Sequence, residues 1–335
     1  MFTLFIPGLE PGPADRGPRQ PALERLLARG RARPLEVSPW ALLARLAGGD
    51  LDRWPVGPVS ALGELAAPPH ACLRVEPLGG ENERHGVFRL PAASLGIERC
   101  EAAALAEAFC DTLGAGRLRL EIATPERWYL ALGGDRDVAQ DAGPVWSGFA
   151  GPAQSLADDE RPAPPEADLR LLLSEIEMLF HAHPVNVARR ERAAPGIAGL
   201  HPWGGGRLPA TATAGSSPRV PPRVSPHAAP DGSPLVEEPY LAGLRRLGAV
   251  RGASAASFRV DPADTDGIAW PAAVETLDAR QLADIEANWA APLLGALLRG
   301  RLAGVRIVTG DAVYETRRLD ALRFWRRPRP MAALC

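Results

Sequence analysis

Residues Leu171 to Pro209 read LLLSEIEMLFHAHPVNVARRERAAPGIAGLHPWGGGRLP. Asp168 is a natural N-cap for a long helix. Leu169, Leu172, Leu173, Ile176, Leu179 and Phe180 then fall on one apolar stripe until Pro184 ends it. The chain continues through His181-Ala182-His183, Asn186, Arg189, Arg190 and Arg192 into a glycine-rich turn, Trp203-Gly204-Gly205-Gly206-Arg207. So many special residue types in one stretch point to the recognition of an anion, or to the remnant of such a site.

Each candidate has a functional and a structural reading. Glu177 and His181 lie four apart on the helix and could share a metal, but no third ligand stands at a suitable spacing. His181 and His183 therefore read as caps of the helix C-terminus. Asn186 reads as the N-cap of a short helix carrying Arg189, Arg190 and Arg192. Their guanidinium forks suit carboxylate or phosphate oxygens, or internal ion pairs with Glu175 and Glu191. The glycines after Trp203 let backbone amides approach a ligand, or make a tight turn under a packed tryptophan.

Working outward, Phe2 to Ile6 reads as a buried strand ending at Pro7-Gly8. Helices are expected over 22–30, 39–47 and 58–66, with Ser38-Pro39 as a cap and first turn. Strands at 71–76 and 86–90, a helix over 98–114, and strands at 118–122 and 127–132 form a compact α+β segment. Residues 151–167 read as a connector and 210–234 as a mobile loop. A helix over 240–247, a long helix over 282–298 kinked at Pro292 and a buried strand at 304–309 follow. The tail, Phe324-Trp325-Arg326-Arg327, runs into prolines. The expected organisation is an α/β core of 1–66 and 168–330 with a small α+β subdomain, 67–150, inserted as a cap.

The 335 residues carry a net charge of −2 and all 38 basic residues are arginine. The balance argues against a general nucleic-acid binder. Without lysine, Schiff-base chemistry and Walker-type phosphate binding are excluded. Cys72, Cys100, Cys110 and Cys335 match no zinc spacing and read as reduced thiols of a cytoplasmic protein. No G-x-S-x-G nucleophile elbow occurs.

The segment HPVNVARRERAAPGIAGLHPWGGGRLP resembles the corresponding stretch of archaeal-type cofactor-independent phosphoglycerate mutases, members of the alkaline phosphatase superfamily. Leu173-Ser174-Glu175-Ile176-Glu177-Met178-Leu179, Trp203 to Gly206, Arg127-Trp128-Tyr129-Leu130 and Trp289-Ala290-Ala291-Pro292-Leu293-Leu294 are similar to marks of the RpfE-type bacterial regulatory proteins. The resemblance implies a three-layer alkaline-phosphatase-like sheet with an α+β cap. It also implies two catalytic metals, whose ligands this chain lacks: Pro7 stands where the first strand should end in aspartate, and Ala312 where a histidine belongs.

The expectation is thus a cytoplasmic regulatory or scaffold protein, a degenerate mutase-like pseudoenzyme with no cofactor and no metal site. Its ligand would be a small phosphorylated or anionic metabolite held by His183, Asn186, Arg189, Arg190, Trp203, Gly204, Gly205, Gly206 and Arg207. A protein partner is compatible with that role; nucleic acid and membrane are not expected as partners. The alternative is an active mutase or phosphatase with relocated ligands for a divalent metal such as Mn or Zn. Convergence of His183, Asn186, Arg189 and Arg207 beside Pro7 would mark the surviving site.

Overall fold

Phe2–Phe5 forms strand β1, and all four residues are buried, as befits a strand covered on both faces. In the computed structural model, which describes residues 1–9, 19–83, 86–90, 92–115, 117–133, 167–208, 238–249, 268–270, 279–323 and 325–326, the chain divides into two units. The expected connector over 151–167, apart from Ala167 at the start of a helix, and the expected loop over 210–234 lie outside the described residues. No helix among those described is long and apolar enough to cross a membrane.

Unit 1 comprises Met1–Gly48 and Gly215–Cys335. Its sheet runs β2 (Arg31–Pro34), β10 (Ala312–Arg317), β9 (Gly304–Val308), β1, β8 (Ile268–Ala269). β1 is parallel to both neighbours, while β10 is antiparallel to β9 and to β2. Helix α1 (Pro21–Arg29) buries Leu23, Leu26 and Leu27 in a core with Phe2, Leu4 and Trp289. Its N-terminus is capped from far along the chain: Glu286 accepts from the Ala22 and Leu23 amides at 2.8 and 2.9 Å.

The single kinked helix expected over 282–298 is instead α8 (Ala279–Ile285), a π turn at Glu286–Ala290 and α9 (Ala291–Leu298). Pro292 donates no amide hydrogen, and a π turn just before it absorbs the broken hydrogen-bond ladder. Helix α2 (Pro39–Leu46) starts as expected, with Ser38 Oγ accepting from the Ala41 amide.

Unit 2 comprises Gly49–Ala214. Its sheet runs β4 (Gly86–Leu90), β3 (Ala71–Glu83), β6 (Arg127–Leu132), β5 (Leu118–Thr124), and β7 (Ile197–Arg207) also pairs with β3. The alternation of β3 sorts its side chains between two faces. Leu73 and Val75, with Trp128 and Leu130 of β6, meet Leu105 and Phe109 of α4 (Arg99–Thr112) and Ile176 and Phe180 of α5 (Ala167–Ala182). Cys72 and Tyr129 point the other way, against Ala61 of α3 (Val56–Glu64).

The stretch 171–207 differs from expectation in two respects. It belongs to unit 2, hydrogen-bonded to the α+β segment, rather than to the unit holding β1. And the Trp-Gly-Gly-Gly-Arg run is the end of a strand, not a turn. β7 reads poorly as a strand because Pro202 and three glycines interrupt it, yet antiparallel pairing with β3 holds nearly its whole length, with bulges. Gly204, at φ +61, supplies backbone that other residues rarely adopt. A Cβ there would lie 2.8 Å from Cβ of Val56, so the glycine lets α3 rest on the strand.

Candidate functional site

The arginine segment forms helix α6 (Pro184–Glu191). Its N-cap is His183, whose Nδ1 accepts from the Val185 amide at 3.2 Å, and not Asn186. The histidine therefore opens this helix rather than closing the preceding one.

Asn186 lies inside the helix and is 2% exposed. Its Nδ2 donates to the carbonyls of Phe180 (2.7 Å) and Ile197 (2.8 Å), and its Oδ1 accepts from the Ile197 amide at 2.8 Å. One amide thus ties the end of α5 to the start of β7.

Arg189 is fully buried. Nε donates to the Pro195 carbonyl at 2.7 Å, Nη1 to Glu101 Oε2 at 2.5 Å, and Nη2 to the Leu95 carbonyl. Arg192 grips the other oxygen of the same carboxylate. Glu101 also accepts from the Glu98 amide, closing the capping box of α4. Burial pushes the Glu101 carboxyl pKa up. The Glu98 amide and the two guanidinium groups outweigh it and leave it below the ordinary value. The spacing had suggested ion pairs with Glu175 and Glu191; the partner is Glu101, most of the unit away in sequence.

The remaining predicted residues do not join this network. Arg190 is exposed and, among the described residues, donates to the His181 carbonyl at 3.4 Å. Arg207 is exposed at the far end of β7, opposite Ala71. Ile197, which Asn186 grips, opens the same strand, so Asn186 and Arg207 stand roughly 30 Å apart at the usual rise of a strand. Pro7 belongs to the other unit. His183, Asn186, Arg189 and Arg207 therefore do not converge within unit 2.

Trp203 sits between these ends, fully buried. It lies directly across from Arg74, whose guanidinium is 4.7 Å from its ring centroid, and its Nε1 donates to Glu76 at 3.2 Å. Beside it on the same sheet face, Arg127 holds Glu64 through two bonds of 2.8 and 2.7 Å, and the Tyr129 hydroxyl donates to the same carboxylate. Burial, then the Glu64 charge, raises the Tyr129 pKa well above its ordinary value, so it stays a donor. This second polar cluster, which the sequence reading missed, fixes α3 to the sheet. Its signal was available: Arg74 and Glu76 alternate with Leu73 and Val75, putting charge on one face of a strand.

In open α/β sheets ligands bind beyond the carboxyl ends of parallel strands. In unit 1 those ends are Phe5-Ile6-Pro7, Val308-Thr309 and Ala269-Trp270. Phe5 stacks on Trp270 with centroids 4.9 Å apart and planes 11° apart. Trp40 tilts against the same Trp270 ring, with centroids 5.5 Å apart. All three rings are buried. Thr309 Oγ1 bonds Asp311 Oδ1 at 2.8 Å and accepts from the Ala312 amide at 3.0 Å, bracing the turn into β10. Among the described residues no three His, Cys, Asp or Glu side chains are placed to hold a metal ion.

No protein-family model and no curated protein matches the sequence. Among solved structures, the chain is similar to a cofactor-independent phosphoglycerate mutase from Thermoplasma acidophilum DSM 1728. Identity is 18%, covering 94% of this chain and 89% of that one, with a TM-score of 0.35. It is also similar to the PH0037 protein from Pyrococcus horikoshii: 14% identity, 94% and 86% coverage, TM-score 0.44.

Proposed function

We propose that this chain is a non-catalytic regulatory or scaffold protein, a pseudoenzyme on a phosphoglycerate mutase-like frame. One observation carries the reading: the aromatic packing of Phe5, Trp40 and Trp270 at the carboxyl ends of the parallel strands. Reacting groups in such a sheet would project there, and three buried rings take that space. The likeness of Leu173–Leu179, Trp203–Gly206, Arg127–Leu130 and Trp289–Leu294 to marks of RpfE-type regulatory proteins agrees with it. The special residues of that stretch, Asn186 and Arg189, are bonded to the protein itself, so a metabolite would have to displace buried internal partners.

The test is direct. The protein is purified, loaded with Mn or Zn, and assayed for interconversion of the phosphoglycerates, with metal measured by elemental analysis. The expected result is no turnover above buffer. Stoichiometric metal together with turnover would overturn the proposal.

A further inference from the structure

Arg25 and Arg29 stand four apart on α1, so they share one face of the helix. Both reach the same oxygen, the carbonyl of Ala321. Arg29 Nη1 donates to it at 2.6 Å and Arg25 Nη2 at 3.3 Å. Ala321 ends helix α10 (Arg318–Ala321), whose last carbonyls have no donor within the helix. One arginine would cap such an end. Two bring like charges together, and at this spacing like charges repel.

The surroundings do not offset those charges. Arg29 is 9% exposed, and the Nε atoms of both side chains are buried without a hydrogen-bond partner. Among the described residues no carboxylate pairs with either guanidinium; those on neighbouring elements are committed elsewhere. Glu24 holds Arg19, and Glu286 accepts from the Ala22 and Leu23 amides. Asp320 pairs with Arg323 at 2.8 Å, and Glu315 with Arg306 at 2.8 Å. Burial, then the charge of Arg25, lowers the Arg29 pKa, whereas that of Arg19 beside Glu24 is raised. A buried charge without a counter-ion is costly. Arg326 adds a further cation at this end of α1, donating to the Gly30 carbonyl at 3.0 Å. Arg25 is only half-buried, which leaves the pair open to a ligand.

The pair lies at the amino ends of the parallel strands. Thr316 Oγ1 of β10 donates to the Leu26 carbonyl in the last turn of α1, at 2.6 Å. β10 runs out at Arg317, opposite Gly304, where β9 begins. The carboxyl ends of β1 and β9, where the ligands of such sheets react, are at the opposite edge.

We infer that Arg25 and Arg29 form a binding site for a phosphate dianion, either free phosphate or a phosphate monoester. Guanidinium forks suit phosphate oxygens. A phosphate group carries about −1.5 to −2 at neutral pH, which matches two cations, whereas a carboxylate matches one. Held at the amino ends of the strands, the anion is bound without being turned over. The inference stands whether or not the chain catalyses a reaction at the other end.

Thermal melting of the full-length protein is followed at neutral pH and constant ionic strength, with inorganic phosphate, glycerol 1-phosphate or acetate. The anions are used at about 1 mM, low enough to keep general salt effects small. At least one of the two phosphates should raise the melting temperature by about 2 °C or more, and acetate should not. The phosphate that acts at the lower concentration identifies the source. Arg25→Gln should lower phosphate affinity in isothermal titration by about tenfold or more and abolish the rise. Arg25→Lys, which keeps the charge and loses the fork, should bind with intermediate affinity. Arg190→Ala, on the other unit, should respond like the wild type. No rise with either phosphate, an equal rise with acetate, or an equal rise in Arg25→Gln each overturns the inference. Arg25→Gln melting below the wild type in chloride, with no phosphate response in either, would overturn it in favour of helix capping alone.

Discussion

The two units handle charge differently. Unit 2 buries ions in closed sets: Arg189 and Arg192 on Glu101, Arg127 and Tyr129 on Glu64. In unit 1 the centre of the sheet is packed with apolar and aromatic side chains, and the ion pairs of Arg306 with Glu315 and of Arg323 with Asp320 are partly open to solvent. The difference shows that conspicuous residues are no guide to a site. The stretch richest in arginine, histidine and glycine serves as internal fastening.

The contrast can be broken most severely at its two anchors. Trp270→Ala should cost unit 1 about 3–5 kcal/mol by opening a cavity. Arg189→Ala should cost unit 2 about as much by leaving Glu101 buried beside unsatisfied carbonyls. Denaturant unfolding followed by circular dichroism reads both. Conservative replacements separate the mechanisms: Trp270→Phe should recover much of the loss. Arg189→Lys should not, because a point charge cannot reach Pro195, Leu95 and Glu101 together. A lysine that restored full stability would reduce the network to simple charge balance.

Smaller effects sharpen the same comparison. Asn186→Ala removes three buried hydrogen bonds and should cost about 1–3 kcal/mol, read by the same unfolding curves. Glu101 gives a pH signature. Its pKa is depressed in the folded state, so its stabilising contribution is present above the unfolded value of 4.5. That contribution is lost as pH falls through the folded value. The stability gap between wild type and Glu101→Gln should therefore close on acidification below that range, and a gap independent of pH would contradict the assignment. Arg190→Ala, on the exposed side of the same helix, should leave the melting temperature unchanged.

Much of this was legible in the sequence, for identifiable reasons. Periodicity located α1, α4, α5 and β6 to within a few residues, because their apolar stripes face a core. β7 escaped because its strand character is imposed by β3 and not by its own glycines. β2 escaped because all four of its residues are exposed at a sheet edge, leaving no alternation to detect. The partner of Arg189 was hidden by distance along the chain. Glu101 reads locally as a capping residue of α4, which it also is.

The position of β1 carries a cost in time. It precedes every other described strand along the chain, but its neighbours are β9 and β8. At about 5–20 residues per second, roughly 300 residues of synthesis separate β1 from β9, on the order of 15–60 s. Everything that completes unit 2 is made within that interval. An apolar strand, Phe2-Thr3-Leu4-Phe5, must meanwhile stay out of wrong pairings, which makes this chain a natural client for whatever shields nascent hydrophobic segments.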